Sequence, residues 1–365
     1  MPLTPAARAG PWTTRVLVAV AVVWLLREAR PVLLPAAVAV VFTFALAAPV
    51  RWLQRRGVGS YVGAGLVLAA LLGAVALLAW LVAAPALEWW SRLPATLQRL
   101  FEALHNLRDT LFAAIGGRPP GTPRPATDPM AETFAVEGLT ITRLALGGLL
   151  SFAFSASATV LLLYFLLAAE HGLVAQALQT IPDRRTRVLV LGGLREARRD
   201  IGLFIGTMSW VNLALGAATA VGVAAVGLPK PVLWGTATAV LAFVPYLGPA
   251  AAAVALLLAG TLAFGVGAAM LAPPAVFLAL HAVEANLLSP LIMGRRLRLS
   301  PVFVFLSVLA WGWLWGVAGA FIAVPLLLAL RAVARRVPRM KPLGVWLEGS
   351  PRAPATARPD AVPRG

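Results

Sequence analysis

The chain has 365 residues, of which 60% are hydrophobic and 12% are charged, and it carries a formal net charge of +17. Soluble domains are about 45–50% apolar and about 25% charged, so this composition excludes a soluble globular protein. The excess of basic residues does not indicate nucleic-acid binding, because it lies in short blocks beside apolar segments and contains no nucleic-acid-binding motif.

Several runs without Asp, Glu, Lys or Arg are long enough to cross a bilayer, which takes about 20 apolar residues in a helix. They lie between Arg30 and Arg51, Arg56 and Glu88, Arg143 and Glu170, Asp200 and Lys230, Lys230 and Glu284, and Arg298 and Arg331. The fifth run holds 53 residues, enough for two crossings if Gly260 or Pro273-Pro274 breaks it. With a shorter segment at residues 12–26, the pattern predicts an all-α, polytopic integral membrane protein of about eight transmembrane helices.

Residues 1–87 are predicted to form the first three of these helices. We expect the first helix to be retained, because charged residues rather than a signal-peptide cleavage pattern follow it. It forms a hairpin with the second helix, whose end at Arg51, Arg55 and Arg56 is cytoplasmic by the positive-inside rule. Helix three, from about Tyr61 to Leu87, then leads outward.

Residues 88–143 are the longest stretch that is not membrane-like, with six acids and six arginines. Helical apolar spacing over residues 89–104 and a Pro/Gly-rich break at residues 116–125 predict an extracytoplasmic amphipathic subdomain with a flexible loop. The lack of net positive charge agrees with an outward position.

Residues 144–340 are predicted to hold helices four to eight, with helix four at 144–169 and helix five at 201–226. Between them, residues 170–200 carry six arginines that mark a cytoplasmic loop. A solvated helix near lipid headgroups is favoured for this loop over a regulatory or ligand-binding role. Residues 341–365 are predicted to form a disordered cytoplasmic tail.

The basic cluster at Arg295, Arg296 and Arg298 conflicts with this topology, because simple crossings by helices six and seven would place it outside. Two interpretations resolve the conflict. In the first, residues 300–330 form a re-entrant hairpin of two half-helices that breaks near Trp315-Gly316 or Gly319. In the second, the loop is external, since the positive-inside rule is statistical. We favour the re-entrant element.

The segment Phe243-Val-Pro-Tyr-Leu-Gly-Pro249 is the first candidate functional site, with Pro245, Tyr246, Gly248 and Pro249 as its key residues. The two prolines lack backbone donors, so carbonyls about one turn earlier are predicted to be free to face a ligand. Transporters often bind substrate at such unwound segments. A structural kink that packs neighbouring helices is the alternative.

The second candidate site is Glu284, a lone acid at the end of the longest apolar run, with His281 and Asn286 beside it. His281 and Glu284 are three residues apart and share a helix face. In a wet cavity Glu284 could bind a proton or Na⁺, with Asn286 supplying an amide oxygen. The alternatives are an ion pair with Arg295 or Arg296, or a position at the membrane interface.

No catalytic residues, metal site or cofactor are predicted. His281 and Glu284 lack the second histidine of zinc-protease patterns, the three histidines of the chain are scattered, and there is no cysteine or P-loop. In the last apolar segment Gly312, Gly316 and Gly319 would let helices approach closely, so they are predicted to serve packing or oligomer contacts rather than substrate.

Several of these motifs, in this order, resemble the autoinducer-2 exporter (AI-2E) family, also called PerM-type permeases. They are Gly227-Leu-Pro, Phe243-Val-Pro-Tyr-Leu-Gly-Pro249, Glu284-Ala-Asn-Leu-Leu-Ser-Pro290, Ser300-Pro301 and Gly316-Val-Ala-Gly-Ala-Phe-Ile-Ala-Val-Pro325. Arg30-Pro-Val-Leu-Leu-Pro35 and Arg55-Arg56-Gly57 also fit. One departure is Thr207 after Gly206, where the family commonly has Gly-Gln.

The resemblance implies a multi-pass permease of the inner (plasma) membrane that forms homo-oligomers. Family members are associated with export of autoinducer-2 and others with exchange of Na⁺ or Li⁺ against protons. We therefore expect ion-gradient-driven export of a small polar solute such as autoinducer-2, with Na⁺(Li⁺)/H⁺ antiport as the alternative. A non-transporting membrane scaffold, recruiting partners through residues 88–143 or the arginine-rich loop, is the alternative of another class.

Overall fold

The computed structural model describes residues 11–114, 153–169, 172, 174–176, 178–288, 299–337 and 340–348. Every regular element in these residues is helical, and six helices are long and apolar enough to cross a membrane. Two shorter apolar helices accompany them. The predicted all-α, multi-pass architecture is thereby confirmed.

The N-terminal part consists of helices α1 (Pro11–Glu28), α2 (Arg30–Arg55), α3 (Ser60–Ala114) and α4 (Ala153–Ala169). A single residue, Ala29, separates α1 from α2, and the hairpin of these two helices stays a prediction. Helix α3 is longer than predicted, because the amphipathic spacing after residue 87 continues the same helix and does not start a separate one. Residues 115–152, which include the predicted flexible loop, lie outside the described residues.

Helix α5 (Arg184–Ala225) is also longer than predicted and includes much of the arginine-rich segment. Asp183 caps it, since its carboxylate accepts hydrogen bonds from the backbone N–H groups of Arg185 and Thr186. The end of the bundle where α5 begins is called the basic end below. At the opposite end, the Lys230 ammonium pairs with the Glu88 carboxylate of α3.

The long charge-free run folds into three helices. It breaks at the segment around Pro245, as predicted, and directly before the predicted Pro273-Pro274, but not at Gly260. Helix α6 (Pro231–Leu241) and helix α7 (Leu247–Phe264) are joined at residues 242–246, and helix α8 (Ala272–Val283) follows a 3₁₀ turn at Ala268–Leu271. Gly260 lies inside α7, where its missing side chain admits the backbone of Met270. Pro273 and Pro274 lie in the first turn of α8, where proline costs no helical hydrogen bond.

Helices α6 and α7 form an antiparallel hairpin whose open end is opposite the basic end. The start of α6 and the end of α7 line one small cavity, to which α6 contributes Leu233 and Trp234 and α7 contributes Ala259 and Leu262. Trp234 also packs edge-on against Trp89 of α3, with ring centroids 5.2 Å apart. The tip of this hairpin therefore points toward the middle of the bundle.

Helix α9 (Pro301–Arg336) is broken at Gly316, which has φ 70° and ψ −151°. The Ser307 hydroxyl donates to the carbonyl of Ala323 over 3.0 Å, although 16 residues separate them. A straight helix would hold these residues about 24 Å apart, so the two arms must run antiparallel. The predicted hairpin of two half-helices, with its break at Trp315-Gly316, is confirmed.

The α9 hairpin opens at the basic end. The backbone N–H of Ser300 donates to the carbonyl of Leu347 in α10 (Lys341–Leu347), so the chain enters and leaves this hairpin on one side. Residues 341–347 were expected in a disordered tail and are helical instead. Arg295, Arg296 and Arg298 lie outside the described residues, but the geometry of Ser300 agrees with the re-entrant interpretation.

The two hairpins therefore enter the bundle from opposite ends and meet inside it. At the tip of the first, Phe243 contacts Phe321 of α9 with centroids 5.7 Å apart. Val244 packs on the buried cluster of Val308, Ala320 and Ala323. The tip of the α9 hairpin rests on the α1–α2 turn, where the Trp315 indole N–H donates to the carbonyl of Leu26 over 2.9 Å.

Candidate functional site

A cavity of about 720 Å³ lies where the α6–α7 tip, the end of α8, the middle of α5 and both arms of α9 meet. Its lining residues are Phe204, Met208, Asn212, Ala242, Phe243, Pro245, Tyr246, Pro249, His281, Glu284, Ala285, Leu299, Pro301, Val304, Val324 and Leu328. Five of the predicted site residues are among them: Pro245, Tyr246, Pro249, His281 and Glu284. The structure thus brings both candidate motifs to one cavity.

Glu284 carries the carboxylate of this cavity and is only 8% exposed. Its Oε2 lies 3.1 Å from Nδ1 of His281, one turn earlier on the same helix face. The His281 ring stacks on Phe277, with centroids 5.8 Å apart, which fixes its orientation. Glu284 also begins a π-helical turn, Glu284–Leu288, and such turns occur frequently at functional sites.

Glu284 lies at the same level as the middle of the membrane-spanning part of α5, a neighbouring helix. Helix α8 runs antiparallel to α5, with Gly222 facing Val276 and Leu280. Glu284 is eight residues beyond Val276, or about 12 Å, which brings it roughly level with Asn212. This depth argues against a position of the carboxylate at the membrane interface. The other alternative was an ion pair with Arg295 or Arg296, and both arginines lie outside the described residues.

The tip of the α6–α7 hairpin is strained at Tyr246, which has φ 64° and ψ −53°. The N–H of Leu247 donates to the carbonyl of Pro245 over 2.7 Å across it, which makes a γ-turn of the rare, strained type. A non-glycine residue in such a conformation costs about 1–3 kcal/mol, and residues of this kind cluster at functional sites. The Tyr246 ring is half-exposed and meets Phe305 edge-on at 5.6 Å.

The predicted free carbonyls at this tip are not found. The carbonyl of Leu241, left without a partner by Pro245, accepts from Val244 N–H over 3.0 Å. The carbonyl that Pro249 leaves without a partner is that of Pro245, which Leu247 occupies. Tight local turns use both acceptors, so the tip offers the cavity side chains rather than unpaired backbone.

Two predicted site residues do not line the cavity. Gly248 is buried where α7 crosses the last turn of α6, and a Cβ there would lie 1.9 Å from the carbonyl oxygen of Leu241. Asn286 is exposed, and its amide donates to the carbonyl of Ala282 over 2.8 Å on its own helix. Gly248 therefore shapes the tip, while Asn286 contributes no ligand in this arrangement.

Asn212 of α5 is a polar residue of the cavity that the sequence analysis missed. It is 3% exposed, and its amide nitrogen has no hydrogen-bond acceptor in the described part of the chain. A buried amide without a partner costs about 1–3 kcal/mol, so a bound solute or water is the natural acceptor. The signal in the sequence was an amide in the charge-free run between Asp200 and Lys230.

The three glycines of α9 have different roles. Gly316 provides the positive-φ break, and Gly319 is buried at the tip, where a Cβ would lie 2.1 Å from the carbonyl oxygen of Trp311. Gly312 is less crowded, with 3.6 Å to Ala320. These contacts all lie within one hairpin, which supports the packing interpretation.

The chemistry available in this cavity is proton or ligand binding. Within the described residues no group of three or more His, Asp or Glu side chains is placed to hold a metal ion. The described lining presents one carboxylate, one imidazole, one amide and one phenol to an otherwise apolar space. Such a lining suits a small polar solute that a few hydrogen bonds orient.

The chain matches the model of the family described as AI-2E family transporter over residues 15–339. It is 27% identical to the YhhT protein of Escherichia coli K12 over 302 residues, 82% of this chain and 83% of the relative. It is 28% identical to the MT0215 protein of Mycobacterium tuberculosis over 337 residues, 89% and 88% of the two chains. The AI-2 transport protein TqsA of E. coli K12 is 32% identical over 155 residues, 42% and 40% of the two chains. The chain therefore belongs to the AI-2E transporter family and is a multi-pass membrane transport protein.

Proposed function

We propose that this transporter resides in the inner membrane and exports a small polar solute through the 720 Å³ cavity, coupled to protonation of Glu284. The observation that supports this proposal is the Glu284–His281 pair, with 3.1 Å between Oε2 and Nδ1 inside that cavity. Ionisable groups at membrane depth are costly and are by default functional.

The pair gives the transporter a place to hold a proton. A buried carboxylate is favoured in its neutral form when its surroundings are apolar and in its charged form when water enters or a cation lies beside it. Opening the cavity to one side and then the other would let water reach Glu284 from each side in turn, so that the carboxylate can take up a proton on one side and release it on the other. His281, whose Nδ1 lies 3.1 Å from Oε2, would orient the carboxylate.

The polar groups of the cavity suit a solute with hydroxyl groups. The Asn212 amide nitrogen can donate to a solute oxygen, and the Glu284 carboxylate can accept from a hydroxyl. The relative TqsA is named an AI-2 transport protein, and autoinducer-2 is a small polyhydroxylated molecule. We therefore propose autoinducer-2 or a solute of the same class as the substrate.

Exchange of Na⁺ or Li⁺ against protons is the second candidate. Glu284 is the only acid among the described lining residues, and these residues offer few polar donors for a polyhydroxylated solute. A single carboxylate at mid-depth can bind a cation and a proton in turn. Both candidate functions use Glu284 as the proton-binding residue. They differ in the species whose binding displaces the proton, which is the polar solute in the first and Na⁺ or Li⁺ in the second.

Proton flux in proteoliposomes tests the proposal. A pH-sensitive dye inside the vesicles reports flux on addition of Na⁺, Li⁺ or autoinducer-2, for the wild type, for Glu284→Gln and for a control, Glu102→Gln, at an exposed position of α3. Flux with autoinducer-2 that only Glu284→Gln abolishes supports solute export. Flux with Na⁺ or Li⁺ alone supports antiport.

Absence of any flux with the folded wild type would overturn both transport proposals. It would leave the non-transporting scaffold, in which partner proteins co-purify with the chain. Homo-oligomer formation is a separate proposal that rests on family membership, and chemical cross-linking in native membranes tests it.

A further inference from the structure

A second cavity, of about 470 Å³, lies toward the basic end between α2, α4 and the first half of α5. Its lining residues are Val40, Thr43, Phe44, Leu166, Val174, Ala175, Leu178, Leu191, Leu194, Arg195 and Arg198. Eight of them are hydrocarbon side chains. Thr43 adds little polarity, because its hydroxyl donates to the carbonyl of Ala39 over 2.7 Å in its own helix.

The charge of this cavity comes from Arg195 and Arg198. They are three residues apart on α5 and so lie on one helix face. The acids of the same stretch engage elements on another side of α5: Glu196 binds Arg335 and Arg336 at 3.3 and 3.0 Å, and Asp200 binds Arg331 at 2.8 Å. None of the lining residues in the described chain is acidic, so a positive edge faces an apolar space.

The depth of the cavity matches a lipid headgroup region. Arg198 is within one turn of Asp200, and nearby Gly202 faces the backbone of Phe44, whose carbonyl oxygen would lie 3.1 Å from a Cβ at that glycine. Asp200 also closes the arginine-rich stretch that marks the cytoplasmic side by the positive-inside rule. The guanidinium groups thus lie at the level of headgroups, while Val40 and Leu166 extend the apolar wall toward the membrane interior.

We propose that this cavity binds an anionic phospholipid of the cytoplasmic leaflet. Arg195 and Arg198 would hold the headgroup phosphate, because paired guanidinium groups match phosphate oxygens in charge and geometry. An acyl chain would lie along the apolar wall. Basic pockets between transmembrane helices commonly bind anionic headgroups in this way.

The bound lipid would join two parts of the bundle. Helices α2, α3 and α4 share one buried cluster that includes Ala39, Ala64 and Leu163. Helix α5 contributes to a second cluster, in which Ile201 packs with Val41 of α2 and with Leu328 of the second arm of α9. Leu166 packs against the first cluster and Phe44 against the second, and both line the cavity, so a bound lipid would bridge the two clusters and should stabilise the folded protein.

Lipid retention and thermal stability test this proposal without any transport assay. The full chain is reconstituted in nanodiscs of phosphatidylcholine alone or with added phosphatidylglycerol, and lipids that remain after detergent extraction are identified by native mass spectrometry. The variant is Arg195→Gln with Arg198→Gln. The matched control is Arg184→Gln with Arg185→Gln, on the same helix but outside the cavity.

We expect the wild type and the control to retain phosphatidylglycerol and to unfold at higher temperature in its presence. The double cavity variant should bind it about thirtyfold more weakly, since each basic residue near an anionic surface strengthens the attraction about fivefold and two such residues are removed. The double variant Arg195→Lys with Arg198→Lys keeps the charge, so its affinity for phosphatidylglycerol should lie between those of the wild type and the glutamine double variant. If the glutamine double variant fails to fold, the lysine double variant provides the test.

Two outcomes would overturn the proposal. Equal loss of phosphatidylglycerol in the control pair would mean general attraction to a basic helix rather than a site. Equal stabilisation by glycerol 3-phosphate or inorganic phosphate, which carry no acyl chain, would mean that the site takes a soluble anion.

Discussion

Asp200 of α5 and Arg331 of α9 form a buried ion pair, with 2.8 Å between Oδ2 and Nη2 and side chains 6% and 3% exposed. Phe204 and Leu328, each about one turn further into the bundle, line the 720 Å³ cavity. The pair therefore ties α5 to the second arm of the α9 hairpin beside the cavity, on its basic-end side. Any motion that opens the cavity toward that end must move or break this contact.

Removing one partner of this pair should destabilise the protein strongly. Arg331→Met leaves a buried carboxylate and should lower the free energy of unfolding by about 3–5 kcal/mol, whereas the double change Asp200→Leu with Arg331→Met should recover most of the loss. Arg335→Met is the control, because its half-exposed side chain should contribute no more than about 1 kcal/mol. Chemical unfolding in detergent micelles measures all three, and a double variant as unstable as the single one would contradict the argument.

Asn212 should show opposite effects on stability and transport. Asn212→Leu removes an amide nitrogen that lacks an acceptor in the described chain, so the free energy of unfolding should rise by about 1–3 kcal/mol. Solute transport should fall, because the cavity loses its amide. Asn286→Leu is the matched control, since that amide is exposed and bonded within its own helix. A destabilised Asn212→Leu protein would show that the amide has a structural role.

The sequence predicts local geometry well at these positions and long-range geometry poorly. His281 and Glu284 share a face because of their spacing alone, and the break at Gly316 follows from small residues beside tryptophans. No local pattern shows that residues 243–249 meet α8 and α5, because that contact depends on packing across many residues. Asn212 was missed for a related reason: α5 is apolar on most sides, so its sequence does not reveal which side faces the cavity.

The prediction of free carbonyls near Pro245 and Pro249 was wrong for a different reason. A proline removes a donor from the helical pattern, but the acceptor can still pair with another N–H close by. Val244 and Leu247 supply those donors through tight turns. These turns depend on the positive φ of Tyr246. Positive φ is expected from sequence at glycine and not at tyrosine, so the turn could not be predicted.

The glycines of the α9 hairpin should respond differently to alanine. Gly319→Ala places a methyl group against the backbone of Trp311 and should cost about 1–3 kcal/mol or more. Gly316→Ala should cost a similar amount, because its conformation suits glycine almost alone. Gly312→Ala makes an ordinary contact in a helix and should stabilise by about 0.5–1 kcal/mol. Thermal unfolding ranks the variants, and equal effects at Gly312 and Gly319 would contradict the hairpin packing.

The sidedness of the α9 hairpin can be measured directly, because the chain contains no cysteine. If the hairpin is re-entrant, Ser300→Cys and Trp346→Cys should react with a membrane-impermeant maleimide from the same side, since Ser300 bonds to Leu347. Ser91→Cys, three residues beyond Glu88 at the opposite end, should react from the other side. Labelling of intact cells and of inverted vesicles distinguishes the two sides.

The three positions together separate the hairpin from a simple crossing. A helix that crossed the membrane once over residues 301–336 would place Ser300 with Ser91 and leave Trp346 alone, because about 36 residues of helix exceed the thickness of the hydrocarbon core. Labelling of Ser300→Cys from the Ser91 side would therefore refute the re-entrant arrangement and place the neighbouring Arg298 outside. Labelling from the Trp346 side would put Arg298 with the arginines of α5, where the positive-inside rule expects it.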